Sequence, residues 1–280
     1  MRRRFKMPYS FKFERSDDTY PSCDLHRLHN MEQGKLDDLP NEALFWAIAR
    51  SILEESQSTS VTNSAVKYLC CLSPEMTKRR ARKGFKTLSL GCGDLAVFGA
   101  DDCFASEWPL HPSGVVAALK KSEAYGAGLA TILHELCHTF GLVHSDTGLM
   151  NGHYSGVRRL LLGHRPTKIF CESALISMFY NPWINPKLES SEEHPVDVEF
   201  DAETGSLAAN VSIALVELRE VTACGDSFVV DYWDLCSSGS PRKWWQLPKT
   251  KAAVFDNRSE ALSRCLAVTL CDGQMCKIRV

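Results

Sequence analysis

The sequence predicts an α+β fold in which a helix-bearing domain over residues 41–185 is followed by a small β domain over 196–280. Three observations predict it. Apolar residues recur at helical spacing in separate stretches before residue 185, the segment 186–195 is rich in Glu, Ser and Pro as linkers are, and beyond it the apolar period becomes two. With 280 residues, 44% of them hydrophobic and 24% charged, the chain can bury a substantial core of ordinary globular composition. Its net charge of -2 gives no global attraction to nucleic acid or to an anionic membrane, and no run is apolar for long enough to span a bilayer, so neither partner is expected.

Residues 1–40 are polar and broken by Pro8, Pro21, Gly34 and Pro40, which reads as an irregular lead-in. Cys23, His26 and His29 in that stretch are spaced by three but have no fourth ligand nearby, so a polar surface turn is expected there rather than a metal site. From Asn41, read as an N-cap, residues 42–54 place Leu44, Phe45, Ile48, Ala49 and Ile52 on one face of a packing helix. Residues 65–71 read as a strand, and the basic six-mer Lys78–Lys83 as a solvated loop or helix face, since no aromatic interleaves it. Leu95–Phe98 between glycines is a short buried strand. A second core helix is expected over 167–179, ended by Asn181-Pro182. In the β domain, Val211, Ile213 and Leu215 alternate with Ser212 and Ala214, Phe228–Trp233 is strand-like, and 266–280 reads as a hairpin turning at Asp272-Gly273.

The chemistry is concentrated in a further helical stretch between these two helices, His134-Glu135-Leu136-Cys137-His138-Thr139-Phe140-Gly141-Leu142-Val143-His144. Residues four apart on a helix lie one above the other, so the imidazoles of His134 and His138 can reach one ion. Gly141 can take a left-handed conformation without a Cβ penalty, which ends the helix and brings His144 round as a third nitrogen ligand. Three neutral imidazoles leave one tetrahedral position open, the pattern of catalytic rather than structural zinc, so one Zn2+ per chain is expected. Glu135 follows the first ligand and stands beside the metal as a general base. A His-Glu-x-x-His match arises by accident in roughly one such protein in fifty, and fixing Gly141 and His144 lowers that by a further factor of roughly several hundred. Cys137, between the ligands, is expected to face the packed core beside Leu133 and Phe140 as a small hydrophobe.

This string, followed six residues after His144 by Met150, resembles the metzincin clan of zinc metallopeptidases. Ser145 after the third His is similar to matrixins, although the gap to Met150 is about two residues shorter. A wider set of segments, Leu88–Gly99, Glu107–Pro109, the zinc motif, Asn181–Asn185, Leu215–Arg219 and Tyr232-Trp233, resembles a sparsely characterised zinc metallopeptidase family of fungi and invertebrates over roughly residues 86–235. The resemblance implies a metzincin-like zinc peptidase domain, a mixed sheet plus packing helix and active-site helix, acting on a peptide or protein substrate as an endopeptidase. It implies His134, His138 and His144 as ligands, Glu135 as base, and Met150 as the Met-turn residue whose thioether floors the site without bonding the metal. In the metzincin picture the strand before the zinc helix rims the cleft and pairs with an extended substrate, which assigns that role to Leu95–Phe98. His153 and Tyr154, just beyond the Met-turn, are the candidate oxyanion donors.

The alternative is a non-catalytic, zinc-containing binding or adaptor protein whose β domain recognises carbohydrate or protein through Trp233, Trp244 and Trp245. An intact Glu135 speaks against it, because folding needs the histidines but not the carboxylate. The 12 cysteines are scattered without a Cys-x-x-Cys pair. Free, mostly buried thiols in a reducing compartment are the preferred reading, and disulfides in a secreted protein whose leader lies outside this sequence are the rival. Taken as it stands, the basic start without a following apolar run reads as cytoplasmic. Oligomeric state and cleavage specificity are not legible.

Overall fold

The structure is a computed structural model describing residues 33–58, 67–99, 112–152, 154–164, 168–185, 188, 196–222, 226–236, 242–248 and 263–280. The Cys23, His26 and His29 spacing and, apart from Leu188, the expected linker lie outside these residues. The fold is mixed α+β, in two compact units: one contains Leu142–Asn151 with Phe170–Val280, the other Gly152–Ile169 with the described residues up to Gly141. No helix among the described residues is long and apolar enough to cross a membrane.

The unit that carries the zinc-motif helix opens with α1 (Gln33–Leu36) and α2 (Asn41–Ser58). Leu44, Phe45 and Ile48 of α2 are buried with Leu36, Leu72, Leu88, Leu95 and Val97 in one core, as the helical period requires. Asn41 does not cap the helix; it stands in the first turn, where its amide oxygen accepts from Arg80 Nη2 at 2.8 Å and its Nδ2 donates to Lys86 O. Strand β1 (Tyr68–Leu72) begins three residues later than its sequence pattern.

Helix α3 (Pro74–Arg82) contains most of the basic run, with the Ser73 hydroxyl accepting from Met76 N and Pro74 in the first turn. Its face is not simply solvated. Arg80 is 2% exposed, donates to Leu36 O at 2.9 Å and lies over the Phe85 ring, while Arg79 pairs with Asp37 and Lys83 with Asp38. The reason is local: carbonyls left by the end of α1 need donors, and a guanidinium supplies several at once.

Strands β2 (Ser89–Cys92) and β3 (Leu95–Gly99) complete a three-stranded sheet of order β1-β3-β2, in which β1 is parallel and β2 antiparallel to β3. The expectation that Leu95–Phe98 pairs with substrate is therefore corrected: both edges of β3 are occupied, and every residue of it is buried. Among the described residues, the sheet edge on that side is β2. Helix α4 (Pro112–Lys121) leads into α5 (Glu123–Thr139), capped by the Ser122 hydroxyl accepting from Tyr125 N at 3.1 Å, and α6 (Ser155–Leu161) follows.

Strand β2 packs directly on α5 at Gly91, where a Cβ would stand 2.2 Å from Glu135 O and 3.0 Å from the His138 Cβ. Only glycine allows this approach. Gly91→Ala is expected to push β2 off the helix and to lower unfolding free energy by about 1–3 kcal/mol, the ordinary cost of overpacking. Chemical denaturation of the variant checks this, and a midpoint equal to that of the parent protein rejects it.

In the other unit, α7 (Glu172–Phe179) starts five residues later than its pattern and is followed by a six-stranded antiparallel sheet. Its strands are β4 (Val198–Asp201), β5 (Ser206–Val221), β6 (Ser227–Asp234), β7 (Arg242–Gln246), β8 (Ser263–Leu270) and β9 (Met275–Arg279). The long β5 pairs with β4, β6, β7 and β8, and β8 pairs with β9. Residues 213–219 of β5 are buried without alternation, including Ala214, Glu217 and Arg219. The half-buried strand read from period two is thus corrected, since the middle of β5 is covered on both faces. Glu217 and Arg219 remain affordable there because they pair with each other. The β8–β9 hairpin turns at Asp272-Gly273 as read, with Gly273 at a φ of 93°.

Candidate metal centre

Helix α5 puts His134, Glu135 and His138 in place, and its termination places the rest. The amides of Phe140 and Gly141 bond back to Cys137 O and His138 O, each at 3.0 Å, and Gly141 takes a φ of 80°. The chain thereby leaves the helix in the left-handed turn that the motif requires. Beyond it, His144 is held by a strand: His144 N donates to Ser227 O and Val229 N to His144 O, each at 2.9 Å, in a parallel bridge to Phe228 of β6. The Phe228 ring lies against the imidazole with centroids 4.9 Å apart.

The structure brings all three histidines together, with one nitrogen from each lying within 4.8 Å of the others. The Nε2 atoms of His134 and His138 are 3.1 Å apart. Tetrahedral zinc with Zn–N bonds of about 2.0–2.1 Å sets neighbouring nitrogens about 3.3 Å apart, a spacing that the His134–His138 pair matches, while the His144 nitrogen lies within 4.8 Å of both. Three borderline-soft imidazole nitrogens without a thiolate or a carboxylate cluster are unlike the oxygen cages that hold calcium or magnesium.

Glu135 is buried, and the Ser89 hydroxyl of β2 donates to its Oε1 at 2.6 Å. Ser89 was not legible as a functional residue: it lies 46 positions from Glu135, and only the wider family segment beginning at Leu88 hinted at its neighbourhood. A short charge-assisted bond of this kind fixes the carboxylate's rotamer. If Glu135 is the base that its motif implies, Ser89→Ala is expected to lower turnover by about tenfold while leaving metal content unchanged, because the carboxylate remains but loses its orientation. Steady-state kinetics beside metal analysis checks this; equal kcat in the two proteins removes the positioning role.

Tyr154 lies beside His134, their ring centroids 5.9 Å apart and the rings nearly perpendicular. Burial pushes its phenol up, a hydrogen bond with Thr131 acts the other way, and the Glu135 carboxylate adds to the rise, so the group keeps its proton at neutral pH and can donate. His153, the other candidate donor, lies outside the described residues. Cys137 is buried, and burial, with the Glu135 charge, pushes its thiol up to about 12. Leu133, expected in the same packing, instead reaches solvent at 38% exposure. Met150 is 1% exposed in a 3-10 turn (Leu149–Asn151). Gly148 at a φ of 79°, a bond from Ser145 N to Met150 O and another from Asn151 Nδ2 to Asp146 O close the 145–151 loop tightly.

Phe228 was read as part of a strand and not as a partner of the site. Phe228→Ala is expected to weaken zinc binding by up to about tenfold, the value of one aromatic contact, without unfolding the protein, since the residue is 41% exposed. Competition with a chromogenic chelator measures this. The tryptophans expected to form a recognition surface do not act together. Trp233 and Trp245 pack ring to ring at 4.9 Å against the sheet core, and Trp244 alone of the three is exposed.

No protein-family model matches the chain, and no curated protein matches it. Among solved structures, wild-type OgpA from Akkermansia muciniphila is similar over 84% of this chain and 69% of its own, at 12% sequence identity and a TM-score of 0.48. A catalytically inactive OgpA from the same organism, in complex with an O-glycopeptide (glycodrosocin) substrate, is similar over 88% and 73%, at 11% identity and a TM-score of 0.49. Similarity at that level assigns neither a family nor an activity to this chain.

Proposed function

We propose that the protein is a zinc-dependent metallopeptidase of metzincin type. The observation that supports this best is the convergence of the His134, His138 and His144 nitrogens within 4.8 Å of one another, with a buried carboxylate on the next residue of the same helix. When bound, zinc lowers the pKa of a coordinated water to about 7 and polarises a carbonyl, the two changes that slow amide hydrolysis needs.

The chain's own residues supply the remaining chemistry. Glu135 takes a proton from the attacking water and returns it to the leaving amine. Ser89 holds one oxygen of that carboxylate and so orients the other. The Tyr154 phenol, protonated at neutral pH, donates to the oxygen on which negative charge develops, a role it would share with His153. Met150 floors the ligand set as an apolar side chain and does not bond the metal. An extended peptide would add to β2, whose partner on one side is β3, through backbone hydrogen bonds that are indifferent to sequence.

The test is metal analysis of the purified protein followed by incubation with a diverse peptide library. About one zinc per chain, and internal cleavages that a chelator abolishes and added zinc restores, are expected. A metal-loaded, folded protein that cleaves no peptide in the library overturns the reading. The positions of the cuts decide between endopeptidase and exopeptidase action. The adaptor reading has no comparable support, since its tryptophan surface is mostly core.

A further inference from the structure

Two cysteines on the sheet of β4–β9 stand in contact. Cys236 lies two residues past the end of β6 and Cys271 one residue past the end of β8, on either side of β5. Their sulfur atoms are 3.7 Å apart, and both are reduced. Backbone bonds fix each of them. Cys271 N donates to Ser212 O at 2.8 Å, and Leu235 N, beside Cys236, donates to Ala214 O at 3.0 Å. These anchors are two residues apart on β5, where its pairing with β8 shifts register between Ile213 and Leu215. Cys236 N also donates to Asp234 Oδ1 at 3.0 Å. The turn beyond Cys271 is pressed from the other side, because a Cβ on Gly273 would stand 2.7 Å from Tyr180 O.

We propose that Cys236 and Cys271 are an oxidisable pair, forming a disulfide that ties the exit of β6 to the β8–β9 turn across β5. A disulfide needs its sulfurs at about 2.05 Å, ~1.7 Å closer than they stand, a gap of the size that rotation of two half-buried cysteine side chains spans. With a small-molecule disulfide such as oxidised glutathione as the oxidant, the electrons balance. One protein thiolate attacks a glutathione sulfur and expels a first glutathione thiolate. The second protein thiolate attacks the mixed disulfide and expels the other, so two protein thiols are oxidised and one glutathione disulfide becomes two thiols. The Cys271 thiol is held up by its hydrogen bond with Cys236 and by burial, so the first attack is slow at neutral pH and closure follows from proximity. The residues lie 35 positions apart, with β7 between them. Closing a loop of that length removes enough unfolded-state entropy to raise the melting temperature by on the order of 10 °C.

The experiment uses the full chain, equilibrated across a series of reduced-to-oxidised glutathione ratios, alkylated, digested and analysed by mass spectrometry, with thermal melts at both ends of the series. A cross-linked peptide containing Cys236 and Cys271 is expected at the oxidised end, together with the higher melting temperature. Neither the peptide nor the shift should occur in Cys236→Ala or Cys271→Ala. Both thiols remaining alkylatable at every ratio, Cys236 joined to a different cysteine or only to glutathione, or an unchanged melting temperature in cross-linked protein would each overturn the proposal. Should either variant fail to fold, the wild-type peptide map and melts decide alone.

Discussion

His138→Ala protein is expected to fold and to lose its zinc. The His138 and His134 nitrogens are 3.1 Å apart on consecutive turns of α5, so removing one leaves two of the three proposed ligands and no chelating pair on the helix. If the apparent binding energy of a protein zinc site, about 10–16 kcal/mol, is shared among four ligands, losing one weakens binding by roughly 10²-fold or more. His138 is half-buried, so truncation to alanine leaves a small gap at the helix surface rather than a cavity in the core. Circular dichroism should match the parent protein, metal analysis after dialysis should show sub-stoichiometric zinc, and peptide hydrolysis should be absent. A folded variant that keeps one zinc per chain would mean that the ligands have been misassigned.

Glu135→Gln should separate metal binding from chemistry. Glutamine keeps the size of the side chain and can still accept from Ser89, so the packing of β2 on α5 and the ligand geometry survive. What it lacks is a basic oxygen, and loss of a general base lowers turnover by at least about 10²-fold. Zinc content and stability should equal those of the parent protein, while kcat falls and KM changes little. Equal loss of zinc would make Glu135 a structural residue. Unchanged turnover, with contaminating proteases removed, would take proton transfer away from it.

Much of the helical framework and of the three-histidine cluster was legible, for a common reason: both are local. The α5 ligand spacing, the glycine exit and the return at Gly148 are each encoded within a few residues, so 3.6-residue periodicity and left-handed turns suffice to place His134, His138 and Gly141. The same holds for the buried face of α2 and the hairpin at Asp272-Gly273. Misreadings occurred where a residue's environment is made by distant chain. Asn41 looks like a cap but answers Arg80, and the basic run looks solvated although Arg80 donates to the Leu36 and Asp37 carbonyls at the end of α1. In β5, period two was read where both faces are covered.

By itself, then, the sequence determined an α+β chain with three imidazoles and a carboxylate set at the spacing of a zinc hydrolase, because helix geometry converts residue offsets directly into side-chain positions. Tertiary structure alone decided what supports them. Strand order made β3 a central strand and left β2 at the edge; the lack of a Cβ at Gly91 let β2 meet the zinc-motif helix, which puts Ser89 on Glu135; and β6 holds His144 through Ser227, Phe228 and Val229. Those contacts join residues tens of positions apart. Strand pairing and side-chain packing select such partners by shape and by hydrogen-bond satisfaction across the folded chain, and no periodicity in the sequence carries that information.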